Sequence, residues 1–174
     1  MKASPALLLA TSALLGQQGR VIESRVQGAS MGRTLPAGTA IRVRCTPGAE
    51  CRTGDIIAFL AGTTPVVHRV VGRGSRGRYL LTRGDGTWMC DPPVVEDLVV
   101  GVVAEWHDGA AWRPAAQLSA PAPSTRADLF QRALTRALDV HLWAARGLYS
   151  CAFLAGRLSA KAGRLPRARL GAIS

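Results

Sequence analysis

Nowhere in the chain do about eighteen apolar residues run uninterrupted, so the sequence has no unambiguous membrane-spanning helix. No C-x-x-C pair occurs among Cys45, Cys51, Cys90 and Cys151, which makes zinc a poor fit. Four cysteines in 174 residues are too few for a disulfide scaffold. Cys45 and Cys51 are near enough to bridge a loop, which would require an oxidising compartment; free thiols are the default expectation. Acids are scarce, 11 against 22 basic residues. Charged residues make up only 19% while 48% are hydrophobic, and that balance excludes a wholly disordered chain. Nothing repeats, and the short stretch ahead of the first strand has no room for a helix-turn-helix.

What is present suits one domain with an appendage. Lys2 precedes an uncharged stretch whose apolar centre is Ala6 to Leu15. Ten helical residues cover ~15 Å, half a bilayer. The stretch has the look of a signal-peptide apolar region, but no A-x-A site follows it. A short helix packed on the domain or lying at a membrane surface is expected for residues 1–20. From residue 21 to about 115 the texture is that of strands, with β-branched runs between Gly/Pro clusters. The runs are 21–26, 39–44, 55–60, 65–71, 78–82 and 99–106. Ile41 and Val43 alternate with Arg42 and Arg44, as on a strand with one buried face. Ile56 to Leu60 is continuously apolar and fits a central strand buried on both faces. The spacing predicts a mainly β sandwich or partly open barrel.

Residues 116–124 are rich in Ala, Pro and Ser and read as a linker. A helix is expected from Ser124 or Thr125, with Asp128 in its first turn. Phe130, Leu134, Ala137, Leu138, His141, Leu142, Ala145, Leu148 and Tyr149 recur at helical spacing, Gly147 and Gly156 weaken the helix, and Pro166 ends it. The 125–174 tail is basic: residues 116–174 carry nine Lys/Arg against Asp128 and Asp139. Apolar on one side and arginine-bearing on the other, it suits a helix at an anionic membrane surface. It equally suits a helix docked on the β domain with its arginines solvated. Nucleic acid is not expected, because the aromatics here look like apolar-face residues rather than a stacking platform.

Three local settings could carry chemistry. Gly28-Ala29-Ser30-Met31 ends a strand and enters a turn, where small neighbours let a substrate backbone approach Ser30 and its own N–H could face an oxyanion. His68 lies within the strand run Val66–Val70, on a rigid element that suits a general base. Asp85 and Asp91 follow the next strand, six residues apart, and either could orient His68 as the third member of a triad. Taken singly, each is more often a turn serine, a packed histidine and a turn acid.

Their order changes this. Gly28-Ala29-Ser30-Met31-Gly32-Arg33-Thr34-Leu35 is similar to the nucleophile box of the type I signal peptidase family, within the superfamily that also holds the self-cleaving SOS-repressor peptidases. Gly54-Asp55-Ile56-Ile57-Ala58-Phe59, then His68-Arg69-Val70-Val71, then Thr82-Arg83-Gly84-Asp85 with Asp91, resemble the family's next three boxes in order, over roughly residues 20–105. The chain departs from the pattern at Arg33, where the family has Pro, at Thr39, where it has Asp, and at Gly28, where it often has Ser. A histidine in the third box resembles the Ser/His branch rather than the Ser/Lys one.

The resemblance implies a coiled, half-open β-barrel with a short N-terminal helix and a C-terminal amphipathic helical appendage. It implies a serine endopeptidase with Ser30 as nucleophile and His68 as general base. Asp91 is the favoured acid, and Asp85 is the alternative or a structural turn residue. The Ser30 N–H would serve the oxyanion, and no metal or cofactor is implied. The partner would be the signal or leader peptide of a preprotein, met at a membrane surface. Ala6–Leu15 is short for the usual anchor of secretory members, and the basic tail would stand in for it. The alternatives are a cytoplasmic peptidase that processes leader peptides and a catalytically degenerate fold kept as a binding module.

Overall fold

A computed structural model of the chain describes residues 20–74 and 78–162, together with Ala10, with side chains as far as residue 155. The expected N-terminal helix and the end of the tail, Pro166 included, lie outside these residues, Ala10 apart. The strands are β1 (Val21–Arg25), β2 (Ala40–Arg44), β3 (Ile56–Ala61), β4 (Thr64–Arg73), β5 (Tyr79–Arg83), β6 (Val94–Val95), β7 (Val99–His107) and β8 (Trp112–Pro114). They form one antiparallel sheet in the order β1-β2-β7-β3-β4-β5-β6, with β8 on β7; its two ends do not meet. Register shifts at Arg42/Val43, Ala58/Phe59 and Val70/Gly72 interrupt the ladders. An unpaired residue at each shift bends its strand and increases the local twist.

Strand periodicity sorts the core into two layers. On β3, Ile56 and Ala58 face the cluster of Val26, Met31, Leu35, Ile41, Val43 and Val103. Ile57 and Phe59 face the other, with Cys51, Val70, Leu80, Val94 and Val99. That two-sided burial explains the continuous apolar run, because β3 lies between β7 and β4. On β2 only Ile41 and Val43 are buried, and the outward Arg42 pairs with Glu23 and Glu105. The two strands not anticipated, β6 and β8, have two and three residues, too few to show alternation.

Two helices follow. Helix α1 (Thr125–Val140) begins at Ser124, whose hydroxyl oxygen accepts the Ala127 N–H at 3.2 Å. Asp128 sits in its first turn, where the helix dipole favours an acid. Helix α2 (Leu142–Ala162) continues through Gly147 and Gly156. The uninterrupted apolar periodicity through His141 is corrected here: that residue is extended, with φ −167° and ψ 140°. His141 closes α1 by donating its N–H to Ala137 O and opens α2 by accepting the Trp143 N–H at Nδ1, 3.1 Å. The tail docks on the sheet: Leu134, Leu138 and Ala145 form a third buried cluster with Leu81 and Cys90. Leu118, in the Ala/Pro/Ser-rich segment, also packs on the first cluster. Among the described residues no helix is long and apolar enough to cross a membrane.

Candidate active site

Ser30 lies in the turn that leaves β1. Gly28 and Gly32, at φ +86° and +57°, supply the left-handed backbone that the turn needs on either side of it. A β-carbon at Gly32 would also press on Gly86, 3.1 Å away. The Ser30 carbonyl accepts the Gly86 N–H at 2.8 Å, so the turn bearing Ser30 is tied to the loop after β5.

His68 stands in the middle of β4 and is 8% exposed. Its Nε2 is 2.7 Å from Ser30 Oγ and its Nδ1 is 2.6 Å from Asp91 Oδ2. A carboxylate at Nδ1 calls for a proton on that nitrogen, which leaves Nε2 to accept the serine O–H. The edge of Phe59 limits ring rotation from the neighbouring strand, with centroids 6.3 Å apart. Asp91 is itself fixed twice. Its N–H donates to Thr82 O at 2.8 Å, and its Oδ2 accepts the Thr82 hydroxyl at 2.7 Å. Thr82 is fully buried on β5.

Gly84 is required for this assembly. A β-carbon there would fall 2.5 Å from Ser30 O and 3.0 Å from His68 Nε2. No real side chain tolerates the first contact, and the second would push the imidazole off its serine.

Asp85 is not against His68. It takes a two-pronged pair from Arg69, Nε to Oδ1 at 3.0 Å and Nη2 to Oδ2 at 2.8 Å. Arg69 also donates to Gly54 O and Leu118 O. Successive residues on a strand point to opposite faces, so His68 and Arg69 each meet a different acid. The structure thus brings Ser30, His68 and Asp91 together and commits Asp85 to Arg69. Nothing in the sequence marks Thr82 beyond its place in the Thr82-Arg83-Gly84-Asp85 motif, because a buried threonine on a strand has no signature of its own.

All four cysteines are free, and Cys45, Cys51 and Cys90 are buried. Burial pushes the Cys51 and Cys90 thiols up to about 11. None touches Ser30 or His68 in a hydrogen bond. Among the described residues no group of His, Cys, Asp or Glu is placed to hold a metal ion.

The arrangement can do acyl-transfer chemistry: a hydroxyl, a base within reach of its proton, and an acid behind the base. Comparison of the chain with family models, with curated proteins and with solved structures found no match.

Proposed function

We propose that the chain is a serine endopeptidase of the signal peptidase type, cutting signal or leader peptides through an acyl-enzyme. The observation that carries this is the continuous Ser30–His68–Asp91 relay, with both links at 2.7 Å or less. The open, bulged antiparallel sheet is compatible with the half-open coiled barrel of that family.

In the proposed cycle Ser30 Oγ attacks the scissile carbonyl carbon while its proton passes to His68 Nε2. The carbonyl π bond opens to an oxyanion, which the Ser30 N–H stabilises. Asp91 holds the ring in the required tautomer and offsets the charge of the imidazolium. The oxyanion collapses, the C–N bond breaks, and His68 returns the proton to the leaving amine. A water molecule then gives a proton to Nε2 and its oxygen to the acyl carbon, and Ser30 leaves with that proton.

A membrane surface is the proposed place of action. Leu129, Val140, Trp143, Phe153 and Leu154 are exposed apolar side chains of the two helices. Exposed Arg126, Arg132, Arg136 and Arg146 lie among them. Apolar insertion together with arginines at headgroup level is how an interfacial helix binds anionic lipid.

The test is cleavage of a peptide library, with and without anionic vesicles, by wild type and by folded Ser30→Ala and His68→Ala. Both variants should lose activity by on the order of 10³-fold or more. Cleavage that survives both substitutions overturns the mechanism. Wild-type inactivity on every peptide favours a binding module. Full activity without co-sedimentation on anionic vesicles favours the cytoplasmic processing peptidase.

A further inference from the structure

We infer that the first C-terminal helix is a working part of this site, and that Trp88 is the positioning residue through which it holds Asp91. The inference rests on reading Ser30, His68 and Asp91 as a triad.

Asp91 closes a loop that leaves β5 at Gly84. Its backbone is tied to Thr82, and Trp88 and Cys90 ahead of it pack against the helices. The Arg126 guanidinium carbon lies 3.9 Å from the centroid of a Trp88 ring, and Phe130 meets the indole edge-on at 5.9 Å. Arg126 and Phe130 are four residues apart, one turn, so they form two walls of a single slot on the helix surface. Cys90, the residue before Asp91, is 2% exposed among Leu134 and Leu138 of α1 and Ala145 of α2.

The same helix also holds the far side of the loop. Gln131, one position on from Phe130, accepts from Arg83 at 3.2 Å and donates to Val71 O at 2.7 Å. It therefore bridges β5, just before the loop, to β4, which bears His68. Helix α2 reaches the same place: Ala145 and Tyr149 pack in the cluster that holds Cys90.

The consequence is geometric. An orienting carboxylate works only within a few tenths of an ångström of its imidazole, and a misplacement of about 1 Å costs on the order of 100-fold. Thr82 fixes the acid at one end, and Trp88 in the helix slot fixes the loop that delivers it. Arg126 is also one of the exposed arginines around the apolar surface of the helices.

The test uses the full chain and two readouts. The first is kcat on a peptide that wild type cleaves. The second needs no substrate: the downfield proton NMR signal of His68 Nδ1–H, assigned by its loss in Asp91→Asn. Trp88→Ala should lower kcat roughly 30- to 100-fold and weaken or abolish the downfield signal. It should leave the signals of His107 and His141 in place. Trp88→Phe, which keeps a ring in the slot, should recover both. Should Trp88→Ala fail to fold, Arg126→Gln removes one wall from an exposed position and should weaken the downfield signal in part. A folded Trp88→Ala with the wild-type Nδ1–H signal and kcat overturns the positioning role, even where Ser30→Ala abolishes cleavage. Loss of the signal in Trp88→Ala, with wild type cleaving nothing, sustains the positioning role and rejects the peptidase.

Discussion

Two neighbours on β4, His68 and Arg69, each meet an aspartate from the same loop, and the two pairs are built for different ends. Arg69 and Asp85 are closed on themselves: their side chains are 8% and 5% exposed, doubly bonded, with two further guanidinium donors taken by carbonyls. His68 and Asp91 are open at one end. Asp91 spends one oxygen on Nδ1 and Thr82, and the opposite ring nitrogen faces a hydroxyl. A pair bonded through both carboxylate oxygens to a guanidinium can only hold the fold, whereas under the proposed mechanism a pair whose second ring nitrogen lies on a serine hydroxyl can move a proton. What separates the two pairs is what lies beyond them: main-chain carbonyls past the guanidinium and a hydroxyl past the imidazole.

The sharpest way to break this comparison is to neutralise each acid in turn. Asp91→Asn should fold and lose on the order of 10⁴-fold in kcat, because the imidazole is held in the wrong tautomer. Asp85→Asn should do the reverse. It leaves a buried guanidinium without its carboxylate, at about 3–5 kcal/mol, and should lower the melting temperature by roughly 6–20 °C. The folded fraction should keep most of its kcat. Melting curves beside single-turnover rates for the two variants settle the matter, and an exchange of these phenotypes would invert the assignment.

Thr82→Val gives a finer cut. It keeps the side-chain shape and removes the hydroxyl that donates to Asp91 Oδ2 at 2.7 Å. A hydrogen bond to a charged acceptor is worth about 1.5 kcal/mol, so kcat should fall roughly tenfold. The same substitution should leave the Arg69–Asp85 pair, and the stability it provides, untouched.

A separate effect concerns thiols. Burial holds Cys51 and Cys90 protonated until about pH 11, while the ordinary thiol value is 9.0. Between those values the unfolded chain binds fewer protons than the folded one, so stability is complete below pH 9 and falls as pH rises towards 11. Denaturant midpoints measured across that window should decline. Asp91 adds to the rise at Cys90, so Asp91→Asn should soften the decline and Asp85→Asn should not.

Much of this was legible along the chain. The alternation in β2, the two-sided run in β3 and the Ser124 cap are local patterns with local causes, and the structure carries them. Ser30, His68 and Asp91 could be put forward from their order, and the structure brings the three together. Between the two acids the resemblance favours Asp91, but the residues alone leave both open. Asp85 and Asp91 are both acids after the same strand, and only the folded loop decides which one lies under the imidazole and which under the guanidinium. The helix break at His141 was hidden for a similar reason: the apolar spacing continues across it, and the turn there lets both helices reach the Leu81–Cys90 cluster. Trp88 gave no signal, since its partners Arg126 and Phe130 are about forty residues away.

The hydrogen bond from Gly86 to the Ser30 carbonyl couples two segments that lie far apart in the chain. Its opening would part the turn that presents the hydroxyl from the loop that delivers the acid. Solvent exchange of one amide, that of Gly86, thus measures how often that contact between turn and loop opens.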